Sequence, residues 1–102
     1  MSYTAINPAT GEIVRDFPTA TDQEVKQALE AGSAFYESQK SVSVAKRAEL
    51  LLKLADVMDE NVEELAREAA ENMGKLLREG RGEVGLCTGI LRYYGTKGIE
   101  LM

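Results

Sequence analysis

The chain has 102 residues, of which 44% are hydrophobic and 28% charged, which suits one small folded domain and argues against a disordered segment. Its formal net charge of -5, from 17 acidic and 12 basic residues, argues against a nucleic-acid surface, which needs basic side chains to neutralise phosphates. One cysteine and no histidine exclude an internal disulfide and leave too few ligands for a structural zinc site.

The cellular location is predicted from the pattern of apolar and charged residues. Apolar stretches are short and interrupted by charge, and the amino terminus has neither a basic region nor an apolar export segment. We therefore expect a cytoplasmic protein without a membrane partner.

The amino-terminal residues predict a β-hairpin. Residues 3–6 and 12–17 have the composition of two short strands, and the sequence NPATG at residues 7–11 connects them. Pro8 restricts its own φ and Gly11 accepts a positive φ, which suits a short hairpin loop. Because an isolated two-stranded hairpin is marginal in water, this hairpin requires a surface to lie on.

A first helix is predicted over residues 22–38, after a connector at residues 18–20. Thr21 with Glu24 three positions later is a capping-box pattern, typical of a helix start. The apolar stripe of an amphipathic helix follows, formed by Val25, Ala28, Leu29, Gly32, Phe35 and Tyr36.

A second helical pattern begins at Ser43, and its apolar stripe extends over residues 44–58. Leu50, Leu54 and Val57 widen this stripe, so we expect the helix to be covered on more than one side.

A break and a third helix are predicted from the residues that follow. Asn61 with Glu64 is a second capping-box pattern, so a new helix is expected to start near residues 59–60. Gly74 lies where a glycine ends a helix in the left-handed conformation.

The last predicted helix, over residues 78–102, contains many glycines. Four of them interrupt its helical stripe and together cost roughly 4 kcal/mol relative to alanine; they are Gly82, Gly85, Gly89 and Gly95. The first three share one face by spacing. Either another backbone approaches that face closely, or this carboxyl-terminal segment is poorly formed and mobile.

Few residues are candidates for chemistry. Cys87 is the strongest nucleophile type present, but no histidine is available to activate it, and its neighbours Leu86, Ile90 and Leu91 are apolar. We therefore expect a buried, unreactive thiol. Adjacent carboxylates at residues 59–60, 63–64 and 68–71 diverge on a helix, which indicates a solvated surface and not an acid–base pair.

Three patterns that could bind a phosphate or another anion are also weak. Gly74-Lys75 lacks the GxxxxGK[ST] frame and follows a helix, so we expect a helix end with an exposed lysine. Arg78 and Arg81 are candidates for holding an anion, although pairing on the helix surface or a subunit contact is simpler. The sequence EGRGEVG does not spell GxGxxG after a strand. We expect no catalytic, cofactor-binding or metal-binding residue within residues 1–102.

Six motifs in chain order resemble the amino-terminal portion of NAD(P)-dependent aldehyde dehydrogenases. They are NPATGE at residues 7–12, the connector and helix at 18–38, KRAELL at 46–51, LADVM at 54–58, ENMGK at 71–75 and RYY at 92–94. The early INPATGE, the MGK, the cysteine and the RYY are most similar to the short succinate-semialdehyde dehydrogenase group. Leu76 departs from the family pattern, in which proline is frequent.

The resemblance implies a fold and a parent enzyme. Residues 1–102 would be a mainly α segment with a short amino-terminal β-hairpin, forming the incomplete amino-terminal part of the coenzyme-binding domain of an α/β fold. The parent would oxidise an aldehyde, with succinate semialdehyde expected, through a cysteine thiohemiacetal and hydride transfer to NAD or NADP. The nucleophile, the glutamate base and the coenzyme site are expected beyond residue 102, so this fragment alone would be an inactive scaffold of a homo-oligomeric enzyme.

The alternative is a free-standing small helical interaction module. It would associate through the face of Gly82, Gly85 and Gly89 or through the wide stripe of residues 44–58. We also expect the isolated chain to self-associate, because the stripe of residues 44–58 and the glycine face of the last helix would lack their covering.

Overall fold

A computed structural model of the protein describes residues 2–102, which begin with an antiparallel hairpin. Strand β1 (Ser2–Ile6) pairs with strand β2 (Ile13–Pro18), and Tyr3 lies opposite Phe17. Gly11 in the connecting loop has a φ of +78°, a left-handed conformation that favours glycine. The predicted hairpin is confirmed, with strand ends that differ by one residue from the prediction.

Helix α1 (Asp22–Gln39) begins at the predicted capping box. Thr21 Oγ1 accepts a hydrogen bond from the backbone N–H of Glu24 at 3.2 Å. The Glu24 carboxylate in turn accepts one from the backbone N–H of Thr21 at 2.7 Å. No residue of α1 is buried, so local capping defines this helix more than tertiary packing does.

Helices α2 (Val44–Glu60) and α3 (Val62–Met73) are separated at Asn61, close to the predicted break. The second capping box is wrong, because the Asn61 side chain makes no cap hydrogen bond to α3. Its Nδ2 instead donates to the Val57 carbonyl oxygen at 2.7 Å. Asn61 therefore closes the end of α2, while α3 begins without a side-chain cap.

Gly74 ends α3 as predicted, with a φ of +70° and its N–H donating to the Ala70 carbonyl oxygen at 2.9 Å. A Cβ atom at this position would lie 3.0 Å from Pro8 Cγ. The loop of the hairpin therefore packs against the turn between α3 and the last helix.

Helix α4 (Leu77–Leu101) packs along α2 and α3, and the small core lies between these three helices. Its buried hydrophobic residues are small, and they are Ala48, Ala55, Ala66 and Val84. Gly80, Thr88 and Gly95 of α4 are also buried. Small side chains at this interface let the helix backbones approach one another closely.

The glycines that permit close packing are not those selected from the spacing. A Cβ at Gly80 would lie 3.1 Å from Ala66 Cα, and one at Gly95 would lie 2.6 Å from Leu52 Cδ2. Within residues 2–102 and apart from the local backbone of α4 itself, no atom lies within 4 Å of a Cβ built on any glycine of the predicted face, Gly82, Gly85 and Gly89. That face points away from the core, and its approach by another backbone stays a prediction.

Candidate functional site

An ion-pair network joins α2 to α4. Arg92 Nη1 donates to Asp56 Oδ1 at 2.8 Å, and Arg92 Nη2 donates to Asp59 Oδ2 at 2.6 Å. Hydrogen bonding from Arg92, followed by that from Thr88, lowers the pKa of Asp59 below its ordinary value. The same bonds to Asp59 and Asp56 raise the pKa of Arg92. The network connects the LADVM and RYY motifs, which lie far apart in sequence.

A second ion pair joins α3 to α4. Arg81 Nε and Nη2 donate to the two carboxylate oxygens of Glu63 at 2.7 and 2.9 Å, a bidentate geometry. These hydrogen bonds lower the pKa of Glu63 and raise that of Arg81. The structure therefore favours surface pairing over an anion site at Arg81.

Lys75, at the turn before α4, differs from its prediction. Its Nζ donates to Glu83 Oε2 at 2.8 Å, and 29% of its side chain is exposed. The prediction of an exposed lysine is wrong, because the turn directs Lys75 back along α4.

Cys87 is half-buried and not fully buried as predicted. Its neighbours Leu86 and Ile90 are exposed on the outer side of α4. Within the described residues 2–102, no group of three or more His, Cys, Asp or Glu side chains is placed to hold a metal ion.

Two surface grooves are lined mainly by apolar side chains. One lies where β2 leads into α1, and its lining includes Ala20, Val25, Ala28 and Leu29. The other lies between the start of α2 and the end of α4, with a volume of about 290 Å³, and its lining includes Val44, Arg47, Leu51 and Tyr94. Neither lining brings a cysteine, serine or histidine nucleophile beside a base.

Three apolar surfaces lie uncovered on the outside of the helices. We call them the α1 stripe (Val25, Leu29, Phe35 and Tyr36), the α2 outer stripe (Leu50, Leu54 and Val57) and the α4 outer face (Gly82, Gly85, Leu86, Gly89 and Tyr93); every large side chain among them is between 47% and 70% exposed. Only one side of α2 is therefore covered within this chain, by α4, and the predicted second covering is not supplied by residues 2–102.

The total surface of the chain gives a measure of this exposure. Its accessible area is 7949 Å², whereas a compact monomer of 11.2 kDa exposes about 5,700 Å². Its radius of gyration is 17.8 Å, against about 13 Å for a compact domain of this length. The described residues therefore form a thin, open structure that lacks a covering for its outer apolar surfaces.

This arrangement of a hairpin and four helices recurs in solved structures, among them a putative aldehyde dehydrogenase from Burkholderia cenocepacia with a TM-score of 0.87 and 27% identity, which covers 100% of this chain and 21% of that one. The crystal structure of PnpE in complex with nicotinamide adenine dinucleotide superposes on this chain with a TM-score of 0.87 and 29% sequence identity. The superposition covers 98% of this chain and 21% of that one. The family model for the aldehyde dehydrogenase family matches residues 1–102, and the chain belongs to that family.

Two curated relatives show how the family varies. The NADP(+) succinate-semialdehyde dehydrogenase of Deinococcus radiodurans is 38% identical over 94% of this chain. The alpha-ketoglutaric semialdehyde dehydrogenase of Bacillus subtilis is 35% identical over 92% of it. The chain spans about 20% of the length of each relative. The predicted family, the mainly helical fold with a hairpin and the NAD or NADP coenzyme of its relatives are confirmed.

Proposed function

We propose that residues 1–102 are the amino-terminal scaffold of an NAD(P)-dependent aldehyde dehydrogenase whose substrate is a small semialdehyde, with succinate semialdehyde preferred. The observation that carries this proposal is the family match over the whole chain, together with a span of only about 20% of each relative. The relatives act, by their names, on different semialdehydes. The RYY and MGK motifs favour the succinate group among them.

The described residues fit a dinucleotide poorly, so we place the coenzyme site elsewhere in the longer enzyme. The amino terminus of α1 faces one groove, and helix amino termini bind phosphates through free N–H groups. Here the Glu24 carboxylate already accepts the Thr21 N–H, and its negative charge opposes a phosphate. No step of the reaction is therefore assigned to residues 2–102.

The role proposed for this segment is to present a shaped surface to the rest of the enzyme. The Arg92 bonds to Asp56 and Asp59 hold α2 against α4. The close approach at Gly95 sets the distance between the same two helices. With both helices positioned, the α2 outer stripe and the α4 outer face become defined apolar surfaces for packing.

We further propose a cytoplasmic, homo-oligomeric enzyme. The acidic composition and the single cysteine suit a reducing compartment. Within residues 2–102, none of the helices has the combined length and apolar character that crossing a bilayer requires.

Steady-state kinetics on the full-length enzyme would test the proposal. We expect kcat/KM to be highest for succinate semialdehyde in a panel that includes alpha-ketoglutaric semialdehyde, each assayed with NAD+ and NADP+. The 102-residue chain should neither oxidise these aldehydes nor bind either coenzyme. A strong preference for another aldehyde would overturn the substrate, and coenzyme binding to the 102-residue chain would overturn the scaffold role.

Cys87→Ser in the full-length enzyme tests where the nucleophile lies. Because Cys87 is half-buried and residues 1–102 contain no histidine to activate it, we expect kcat to be unchanged. Loss of the chemical step with folding and coenzyme binding intact would make Cys87 the nucleophile.

The free-standing interaction module remains the second hypothesis, favoured by the uncovered apolar surfaces. The intact mass of the protein purified from its natural source, compared with its open reading frame, separates the two. A reading frame several times longer than 102 codons supports the enzyme, and a natural protein of 11.2 kDa supports the module.

A further inference from the structure

The uncovered area of the chain is large enough to be an interface. The accessible area of the chain exceeds that of a compact monomer of the same mass by about 2,200 Å². Obligate homodimers bury roughly 1,000 to 2,500 Å² on each subunit. The excess therefore matches what one stable, obligate interface removes from one chain.

Helix α1 shows why the chain does not cover this area by itself. Helix α1 has 18 residues, and helices in proteins gain most of their stability by packing an apolar side against another element. All four large side chains of the α1 stripe are exposed, and α1 makes no extensive contact with another element of its own chain. The helix requires a surface that its own chain does not bring to it.

The chain also carries the surface that such a helix fits. The α2 outer stripe repeats at steps of four and three, so Leu50, Leu54 and Val57 form a continuous ridge beside which a second helix packs. In a two-fold pair of chains, the α1 stripe of each copy can pack on the α2 outer stripe of the other, so the same contact forms twice. In that arrangement each copy supplies one of each, and the contact closes without growing further.

We propose that the 102-residue chain, when alone, forms a two-fold dimer in which α1 of each copy packs on the α2 outer stripe of the other. The inference rests on the proposed function in one respect: in the longer enzyme the remaining polypeptide covers these surfaces, and the second copy takes its place when that polypeptide is absent. The connector at residues 19–21, which lies between β2 and α1, presents α1 to the other copy.

Sedimentation velocity on the 102-residue chain tests the dimer. We expect a single species of roughly twice the 11.2 kDa chain mass, which shifts toward one chain mass on dilution of about a hundredfold. A chain that sediments as a monomer at its highest soluble concentration overturns the proposal. A ladder of larger species also overturns it, because it shows an open contact and not a closed pair.

Two charged substitutions locate the interface. Leu29→Glu in the α1 stripe and Leu54→Glu in the α2 outer stripe should each abolish the dimer, since both side chains are exposed within their own chain. Gln27→Glu is the matched control on the opposite side of α1 and should leave the mass unchanged. Dimers that survive both stripe substitutions overturn this interface.

A measurement on the unaltered chain keeps the test independent of folding in the variants. Amide hydrogen exchange should become slower in α1 as the concentration rises, because α1 is ordered by the second copy. Equal exchange in α1 at all concentrations overturns the proposal. If the chain stays monomeric yet binds a polypeptide that contains the remainder of the enzyme, the dimer is wrong while the proposed function stands.

Discussion

Arg92 of α4 donates a 2.8 Å hydrogen bond to Asp56 of α2, across 36 positions of sequence. Asp56 belongs to the LADVM motif and Arg92 opens the RYY motif. The second bond from Arg92, to Asp59, lies one helical turn further along α2. Two motifs with no visible chemistry of their own therefore form the polar connection between two long helices.

Replacing this arginine should weaken the contact between α2 and α4. Arg92→Ala removes both hydrogen bonds and leaves Asp56 and Asp59 without their cation, so we expect a lower midpoint of urea unfolding. Arg92→Lys should recover part of the loss, because a lysine keeps the charge without the fork of two donors. Arg78→Ala, which removes an exposed α4 arginine that makes no ion pair within residues 2–102, is the control. An unchanged midpoint in Arg92→Ala would show that apolar packing alone holds the helices.

Acid should loosen the helix junctions and the start of α1. Hydrogen bonds from the Thr21 backbone and then its side chain lower the pKa of Glu24, and Arg92 and Arg81 lower those of Asp59 and Glu63. A carboxyl whose pKa is lower in the folded state stabilises the fold above its unfolded pKa, and this contribution is lost as the pH falls through its folded pKa.

Helix content measured by circular dichroism should therefore be constant near neutral pH and fall below the ordinary carboxyl pKa range. Thr21→Ala should reduce the acid-sensitive part of the signal, since it removes the hydroxyl donor to Glu24. A pH profile identical in both proteins would contradict the role of the capping box.

Substituting glycines of α4 should change stability in opposite directions. Gly95→Ala places a Cβ 2.6 Å from Leu52 Cδ2 and 3.3 Å from the Ala48 carbonyl oxygen, so we expect a loss of about 1–3 kcal/mol in the free energy of unfolding. Gly89→Ala meets no atom within 4 Å and should gain about 0.5–1 kcal/mol from its helix propensity. Urea titration measures the free energy of unfolding of both variants. Equal effects of the two substitutions would contradict the close approach at Gly95.

The contact between the hairpin loop and the turn after α3 can be separated from backbone strain. Gly74→Ala should destabilise the fold through its φ of +70° and through the 3.0 Å approach of its Cβ to Pro8 Cγ. Gly11→Ala should destabilise it only through its φ of +78°, by about 1–2 kcal/mol, because no atom outside the local backbone lies within 4 Å of its Cβ. We expect the larger loss at Gly74, measured by urea unfolding, and partial relief in a Pro8→Ala background. If Gly74→Ala destabilises the Pro8→Ala background as much as the unaltered protein, the contact with Pro8 does not contribute to the loss of stability.

Local signals in the sequence predicted most of the secondary structure. The capping box at Thr21, the turn at Gly11 and the helix end at Gly74 depend on the conformations of a few neighbouring residues, and all three occur as predicted. Asn61 shows the limit of such signals. Its side chain can bond forward to a new helix or back to the helix before it, and the same four residues of sequence allow both.

The sequence by itself determined the family, the order of the elements and the stripes of α1, α2 and α4, because these follow from residue identity and helical spacing. The tertiary structure decided which glycines allow close packing, because Gly80 and Gly95 turn toward α3 and α2 while Gly82, Gly85 and Gly89 turn outward. It also decided that Arg81 and Arg92 pair with carboxylates on other helices. Such contacts depend on the rotation of one helix against another, which helical spacing within a single element does not specify.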